Sequence, residues 1–133
     1  MEKQAWGEGP EEAERASFAP EERAGQRLTR AAEEYIQAHS AEKFSLQAMA
    51  GALYVNGSYL LRTFKAQTGH TLLWYHHYVR CEKAKALLSR RDVTISQAGE
   101  EAGFVSSSHF SHIFKKMTGQ TPSEYRSRLL RNS

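Results

Sequence analysis

The chain has 133 residues, of which 40% are hydrophobic, 11% aromatic and 25% charged, with a formal net charge of +3. This length suits one compact domain or two very small modules that share a linker. No stretch approaches the roughly 18 consecutive apolar residues of a membrane-spanning helix, and the single cysteine, Cys81, excludes a disulfide framework or an all-cysteine zinc site. We therefore expect a cytoplasmic protein with no membrane partner, metal or cofactor.

The N-terminal stretch differs in charge from the rest. Residues 1–27 carry four basic residues against seven glutamates, whereas residues 28–133 carry 14 against eight. This composition predicts an acidic, flexible tail over residues 1–27, although Pro20 and the two glutamates after it could already open a helix. The tail either only solubilises the chain or docks a partner through Trp6 or Phe18. The basic body favours a polyanionic partner, most often nucleic acid.

The remaining segments predict an all-α fold of about seven helices. Apolar residues recur at helical spacing over Leu28–His39 and again over Leu46–Leu53. Asn56 is suited to cap the next helix, and Gly69 to end it. Residues 72–89 contain no helix breaker and predict a rod of about 27 Å. No alternating pattern typical of strands occurs.

The second half of the chain repeats the first. Thr94 and Thr121 each begin a capping-box pattern, and Gly103 is suited to the turn between two short helices. A shift of 50 residues aligns seven identical pairs: Ser58 with Ser108, Phe64 with Phe114, Lys65 with Lys115, Thr68 with Thr118, Gly69 with Gly119, Thr71 with Thr121 and Tyr75 with Tyr125. We infer a duplicated helix-turn-helix unit, first over residues 28–70 and again over 91–133, with a linker helix over 71–90.

The second helix of each unit leaves one polar face outward. Short hydrogen-bonding side chains come first along that face, and cations follow. A DNA major groove accepts such a helix, because base edges need donors and acceptors and phosphates need cations. Helix N-termini also offer backbone N–H groups to phosphate oxygens. The alternative is a helical bundle whose polar residues only face water.

The most specific pattern lies in the second unit. It consists of Ile95, Ala102-Gly103-Phe104, Ser108-His109-Phe110-Ser111, Phe114-Lys115-Lys116, Thr118-Gly119, Thr121-Pro122 and Tyr125-Arg126. Residues 44–129 as a whole resemble the DNA-binding domain of the AraC/XylS family of bacterial transcription regulators. The resemblance implies two helix-turn-helix subdomains joined by a long helix.

The resemblance also implies a function and a set of DNA contacts. We expect a sequence-specific regulator of double-stranded DNA, an activator that also contacts RNA polymerase, with no catalysis and no evident effector site. The base-contacting candidates are Ser58, Leu61 and Arg62 in the first unit and Ser107, Ser108, His109 and His112 in the second. The phosphate-contacting candidates are Gly57, Lys65, Ser106, Lys115 and Lys116. The alternative is a protein-interaction module that contacts RNA polymerase or another regulator, with weak or vestigial DNA binding.

Five residues depart from the family pattern: Tyr54, in the turn position that Gly103 fills in the other copy, and His76, Cys81, Ala98 and Gly99. Gly99 lies inside a predicted helix, where glycine costs roughly 0.5–1 kcal/mol, so we expect a less stable second unit. His76 and Cys81 replace larger apolar residues on the linker helix. A metal site at His76, His77 and Cys81 is disfavoured, because adjacent histidines on a helix point about 100° apart.

Overall fold

Helices account for the chain's regular structure throughout the part that the computed structural model describes, residues 20–132, and no strand occurs there. The all-α prediction is confirmed. The seven helices of this range are α1 Pro20–Ala38, α2 Leu46–Ala52, α3 Gly57–Thr68, α4 Leu72–Leu88, α5 Ile95–Ala102, α6 Ser107–Thr118 and α7 Pro122–Arg131.

Helix α1 begins earlier than the boundary expected for the acidic tail. Residues 20–27 form its first turns, with Glu21 and Glu22 next to the positive end of the helix dipole. Residues 20–27 therefore belong to a helix that opens at Pro20, as the two glutamates after it allowed, and not to the tail. Residues 1–19, with Trp6 and Phe18, lie outside the described residues. The buried face of α1 includes Gly25 and packs on α3, where a Cβ at Gly25 would lie 3.1 Å from Nε2 of Gln67.

The ends of equivalent helices match in the two halves. Gly69 and Gly119 end α3 and α6 in the left-handed conformation, with φ of 81° and 85°. Thr68 and Thr118 donate their hydroxyl protons to the carbonyl oxygen four residues earlier, at 2.8 and 2.7 Å. The predicted capping boxes at the starts of α5 and α7 are both present. The duplication is therefore a duplication of backbone geometry as well as of sequence.

The turns inside the two units share a positive φ but differ in residue type. Tyr54 has φ 57° in the first turn, and Gly103 has φ 107° at the equivalent place in the second. The side chain of Tyr54 is 94% exposed and meets no obstacle. A Cβ at Gly103 would lie 2.8 Å from Cα of Ala41 and 2.9 Å from the carbonyl oxygen of Ser40. Only the second turn is pressed against the other unit, which is why it requires glycine.

Each unit has its own hydrophobic core, and helix α4 contributes to both. The first core contains Ala32, Ile36, Met49, Ala50, Leu60, Phe64, Leu72 and Val79. The second contains Cys81, Ala84, Leu88, Val93, Ala98, Ala102, Phe104, Phe110, Ile113 and Phe114. The N-terminal half of α4 thus packs on α1–α3, and its C-terminal half packs on α5–α7. At 17 residues α4 is about 26 Å long.

Arg126 fastens the last helix to the loop that follows α4. Its Nε donates to the carbonyl oxygen of Leu88 at 3.0 Å. Its Nη2 donates to the carbonyl oxygens of Arg90, at 3.0 Å, and Val93. A single guanidinium therefore donates to the carbonyl of the last residue of α4 and to two carbonyls of the loop that follows it.

Gly99 has a packing role that its sequence position did not reveal. A Cβ at this buried residue would lie 2.8 Å from Cγ of Phe110, closer than real Cβ contacts allow. The absence of a side chain lets α5 lie directly on the aromatic ring of α6. Glycine here is therefore a condition of the core packing, and the expected lower stability of the second unit stays a prediction.

Gly99→Ala should lower the free energy of unfolding by about 1–3 kcal/mol, because overpacking outweighs the better helix propensity of alanine. The measurement is urea unfolding followed by circular dichroism. Gly51→Ala in α2 is the matched control, since a Cβ there meets nothing within 4 Å, and it should stabilise by about 0.5–1 kcal/mol. Equal effects of the two changes would contradict the packing explanation.

His76 is held as a neutral, buried ring in the first unit. It is 3% exposed, and its ring meets that of Phe44 edge-on at a centroid distance of 5.5 Å. Burial, followed by the positive charges of Arg80 and His77, lowers the pKa of His76 to about 4. Packing on Phe44 thus accounts for the burial of this histidine. Within residues 20–132 no three ligand-type side chains lie close enough together to hold a metal ion.

The free energy of unfolding should therefore fall as pH decreases from about 6.5 to 4. In that window the unfolded chain takes up a proton at His76 that the folded chain does not accept, a difference worth up to about 3 kcal/mol. His76→Leu should flatten the dependence, measured by urea unfolding at each pH. The control is His112→Leu, the same change at an exposed histidine, for which the free energy of unfolding should depend on pH as it does in the parent chain. A parent chain equally stable at pH 7 and pH 4.5 would contradict the assignment.

Candidate nucleic-acid interface

Helix α3 presents a single exposed face that carries the first set of candidates. Leu60 and Phe64 are buried in the first core, which turns Ser58, Leu61, Arg62 and Lys65 to the opposite side. These four residues follow the i, i+3, i+4, i+7 spacing of one helix face. Leu61 is an apolar residue left 41% exposed in the middle of this polar face. The structure thus brings these candidates of the first unit together.

Helix α6 presents the equivalent face in the second unit. Phe110, Ile113 and Phe114 are buried against the second core. The candidates that remain exposed are Ser107, Ser108, His112, Lys115 and Lys116. Ser111 is also exposed and lies one turn from Ser107 and Ser108, so it belongs to the same face although the sequence analysis did not select it. Helical spacing, i+4 from Ser107, was the signal that could have found it.

His109 does not lie on this face. Its ring is half-buried, edge-on to Phe104 at 5.7 Å and to His77 at 6.5 Å between ring centroids. Burial and the charge of Arg80 lower the pKa of His77. The ring that His109 meets on α4 is therefore a neutral one. The side chain of His109 therefore turns toward α4 and away from Ser108, because one residue step rotates the position on a helix by about 100°.

The two helix N-termini are already capped by their own side chains. Oδ1 of Asn56 accepts hydrogen bonds from the amides of Ser58, at 2.8 Å, and Tyr59, at 3.2 Å. Oγ of Ser106 accepts from the amide of His109 at 3.1 Å. The amide of Ser58 is thus committed to the cap, while its exposed side chain stays a base-contacting candidate. Gly57 is half-buried against Leu46 at the first helical position.

The charge of both exposed faces has one sign. The sequences of α3 and α6 contain no aspartate or glutamate. Arg62 and Lys65 give α3 its cations, and Lys115 and Lys116 lie in the last turn of α6. A shallow depression between α6 and α7 is lined by Ser111, His112, Lys115, Lys116 and Thr121. Each face can therefore offer hydrogen-bonding groups near its N-terminus and positive charge further along, as a polyanionic duplex requires.

Among the helices described, none is both long enough and apolar enough to cross a membrane.

Comparisons with known proteins agree with this geometry. A family model described as a helix-turn-helix domain matches residues 49–128. The arabinose operon regulatory protein of Escherichia coli K12 is 35% identical over 94 residues, which make up 70% of this chain but 32% of that regulator. The chain thus spans about a third of the length of such relatives.

Solved structures show the same fold. The C-terminal domain of AraT, a response regulator from Geobacillus stearothermophilus, is 30% identical with a TM-score of 0.72, and the match covers 84% of this chain and 88% of that one. The DNA-binding domain of AdpA, solved in complex with a target DNA, covers 78% and 94% of the two chains with a TM-score of 0.71; at 22% identity it bears on the fold alone. Because the matched segment includes more than half of its residues, the chain belongs to the AraC/XylS family of helix-turn-helix transcription regulators.

Proposed function

We propose that this chain binds double-stranded DNA sequence-specifically by inserting α3 and α6 into successive segments of one major groove. The observation that carries the proposal is the pair of equivalent exposed faces, both basic and free of acidic residues, fixed to one shared helix. A solvated bundle has no need for two such faces. In bacterial cells this function places the protein in the cytoplasm, where the DNA is.

The side chains divide into base-reading and phosphate-binding groups. Arg62 is the strongest candidate for a specific contact, because its guanidinium can bond O6 and N7 of guanine together. Leu61 has no hydrogen-bonding group and suits a thymine methyl. Lys65, Lys115 and Lys116 suit phosphates. In α6 the hydroxyls of Ser107, Ser108 and Ser111, with His112, form the reading set, and His109 supports them from behind.

The length of α4 constrains the shape of the bound DNA. Successive major-groove segments on one face of a duplex lie one helical turn apart, about 34 Å. Helix α4 spans about 26 Å. A rigid protein of this size therefore either bends the duplex toward itself or engages one segment only partly.

We further propose that the protein is an activator that contacts RNA polymerase and performs no catalysis. An exposed surface that does not read DNA is available for such a contact, for example around Leu73 and Tyr78 on α4, which are 46% and 41% exposed. If DNA binding proves weak and insensitive to salt, the protein-interaction module becomes the better description.

A selection of bound sequences from random DNA should return a motif of two segments about one helical turn apart. Affinity for the selected site should fall steeply with salt, with a slope near −0.9 per phosphate neutralised. Binding titrations between 50 and 200 mM salt measure the slope. A footprint confined to one groove segment would contradict the two-helix mode, and a salt-independent affinity would contradict DNA as the partner.

Arg62→Ala should weaken binding to the selected site by about 1–3 kcal/mol while changing binding to random DNA little, because a lost base contact affects only the cognate sequence. Titration of both DNAs gives the two values. Lys65→Ala, on the same face, is the matched control and should weaken both alike and reduce the salt slope by about 1. Equal losses for Arg62→Ala on both DNAs would show that this residue contacts only phosphate.

A further inference from the structure

A buried arginine of the linker helix joins the two units. Arg80 is 5% exposed, although most of the residues that α4 buries are apolar. Its Nε donates to the carbonyl oxygen of Ser40 at 2.6 Å, and its Nη2 donates to that of Glu42 at 2.7 Å. Both acceptors lie in the loop between α1 and α2. Burying such a cation is costly unless its donors find acceptors, and the first unit supplies acceptors for Nε and Nη2.

The same guanidinium also touches the second unit. Its Cζ lies 5.6 Å from the centroid of the Phe104 ring, within the range of a cation–π contact. Phe104 follows Gly103, whose backbone is packed so closely on Ser40 and Ala41 that a Cβ would not fit. Arg80 therefore lies where the α1–α2 loop of the first unit meets the α5–α6 turn of the second.

A second cation fixes the same loop. Nζ of Lys83, one turn along α4, donates to the carbonyl oxygen of Gln37 at 3.1 Å and to the hydroxyl of Ser40. Ser40 is fully buried. The loop is therefore fastened to α4 at two successive turns, and the surface on which the turn at Gly103 rests is held in place.

The turn at Gly103 leads directly into the second recognition helix. Ser106, the N-cap of α6, comes three residues after Gly103, and the exposed face of α6 begins at Ser107. A shift of this turn relative to the α1–α2 loop would therefore move the N-terminal end of α6 with it. Helix α3 belongs to the first unit, and the position of that unit relative to the turn is set by the same α1–α2 loop and by α4.

We propose that Arg80 and Gly103 form a junction that fixes the relative placement of α3 and α6, and so determines the spacing of the two DNA segments that the protein accepts. Arg80 is thus a positioning residue: it acts through the two helices and touches no base itself. The inference rests on the two-helix binding mode proposed above. It differs from a purely stabilising role, which would change the amount of folded protein but not its preference for spacing.

Distance measurements on the free protein test the junction without DNA. Spin labels at Ala52→Cys in α2 and Ser123→Cys in α7, both exposed positions, report on the separation of the units. Cys81 does not interfere, because it is buried and burial raises the pKa of its thiol to about 11. Pulsed electron resonance should give a narrow distance distribution for the parent and a distinctly broader one for Arg80→Met. Arg30→Met, the same change at an exposed site of α1, is the control and should stay narrow.

The second measurement uses DNA. The two segments of the selected site are moved apart or together by one and two base pairs, and the affinity for each duplex is measured. The parent should lose about tenfold or more in affinity for each displaced base pair. Arg80→Met should bind the duplex with the original spacing less tightly than the parent does. Its affinity should vary by less than about threefold across the series. Gly103→Ala, whose Cβ pushes the units apart at Ala41, should shift or flatten the profile in the same way.

The outcomes separate the junction from the binding mode. A narrow distance distribution and a steep spacing profile in folded Arg80→Met would overturn the junction. If Arg80→Met loses its helical circular dichroism, Gly103→Ala decides, and a parent-like profile for it would equally overturn the proposal. If the affinity of the parent protein does not change with the spacing of the two DNA segments, the two-helix binding mode is wrong. The distance distributions of the free protein would still confirm or overturn the rigid junction.

Discussion

Helix α4 supplies apolar surface to two cores at once, and each core includes residues of this helix. Small domains bury a smaller share of their surface than large ones and are often stabilised by a metal, a disulfide or a partner. Here the partner is the helix that both halves share: Leu72 and Val79 close the first core, and Ala84 and Leu88 close the second. The two recognition helices are thus held by one element, and their mutual placement follows from how each half packs on it.

Two glycines determine how closely neighbouring helices and the two units approach each other. Gly99 lets α5 lie on the ring of Phe110, and Gly103 lets the second turn rest on the first unit. The equivalent of Gly103 in the first unit is Tyr54, which tolerates the same left-handed conformation because nothing lies opposite it. The duplicated units have therefore diverged where one of them meets the other, while the caps at Gly69 and Gly119 stay alike.

Local features were predictable from the sequence, and long-range contacts were not. The caps, the glycine ends and the exposed faces of α3 and α6 depend on residues within one or two turns, so their spacing was sufficient to predict them. The packing role of Gly99 depends on Phe110 in another helix, and the burial of Arg80 depends on carbonyls 38 and 40 residues earlier in the chain. His109 was placed in the base-contacting set by the family resemblance, whereas its half-buried ring lies against Phe104 of its own unit and His77 of α4. Such contacts exist only after the helices have packed.

The basic residues of this chain consequently form two groups with different roles. Arg80 and Arg126 donate to backbone carbonyls inside the fold, as Lys83 does at the surface of the first unit. Their hydrogen bonds hold loops in place, and they are not free to neutralise phosphates. The cations of the exposed faces of α3 and α6 have no such internal duty among the contacts described. A count of all 18 lysines and arginines therefore overstates the number of cations available to DNA, and the number of phosphates neutralised should follow the exposed faces rather than that total.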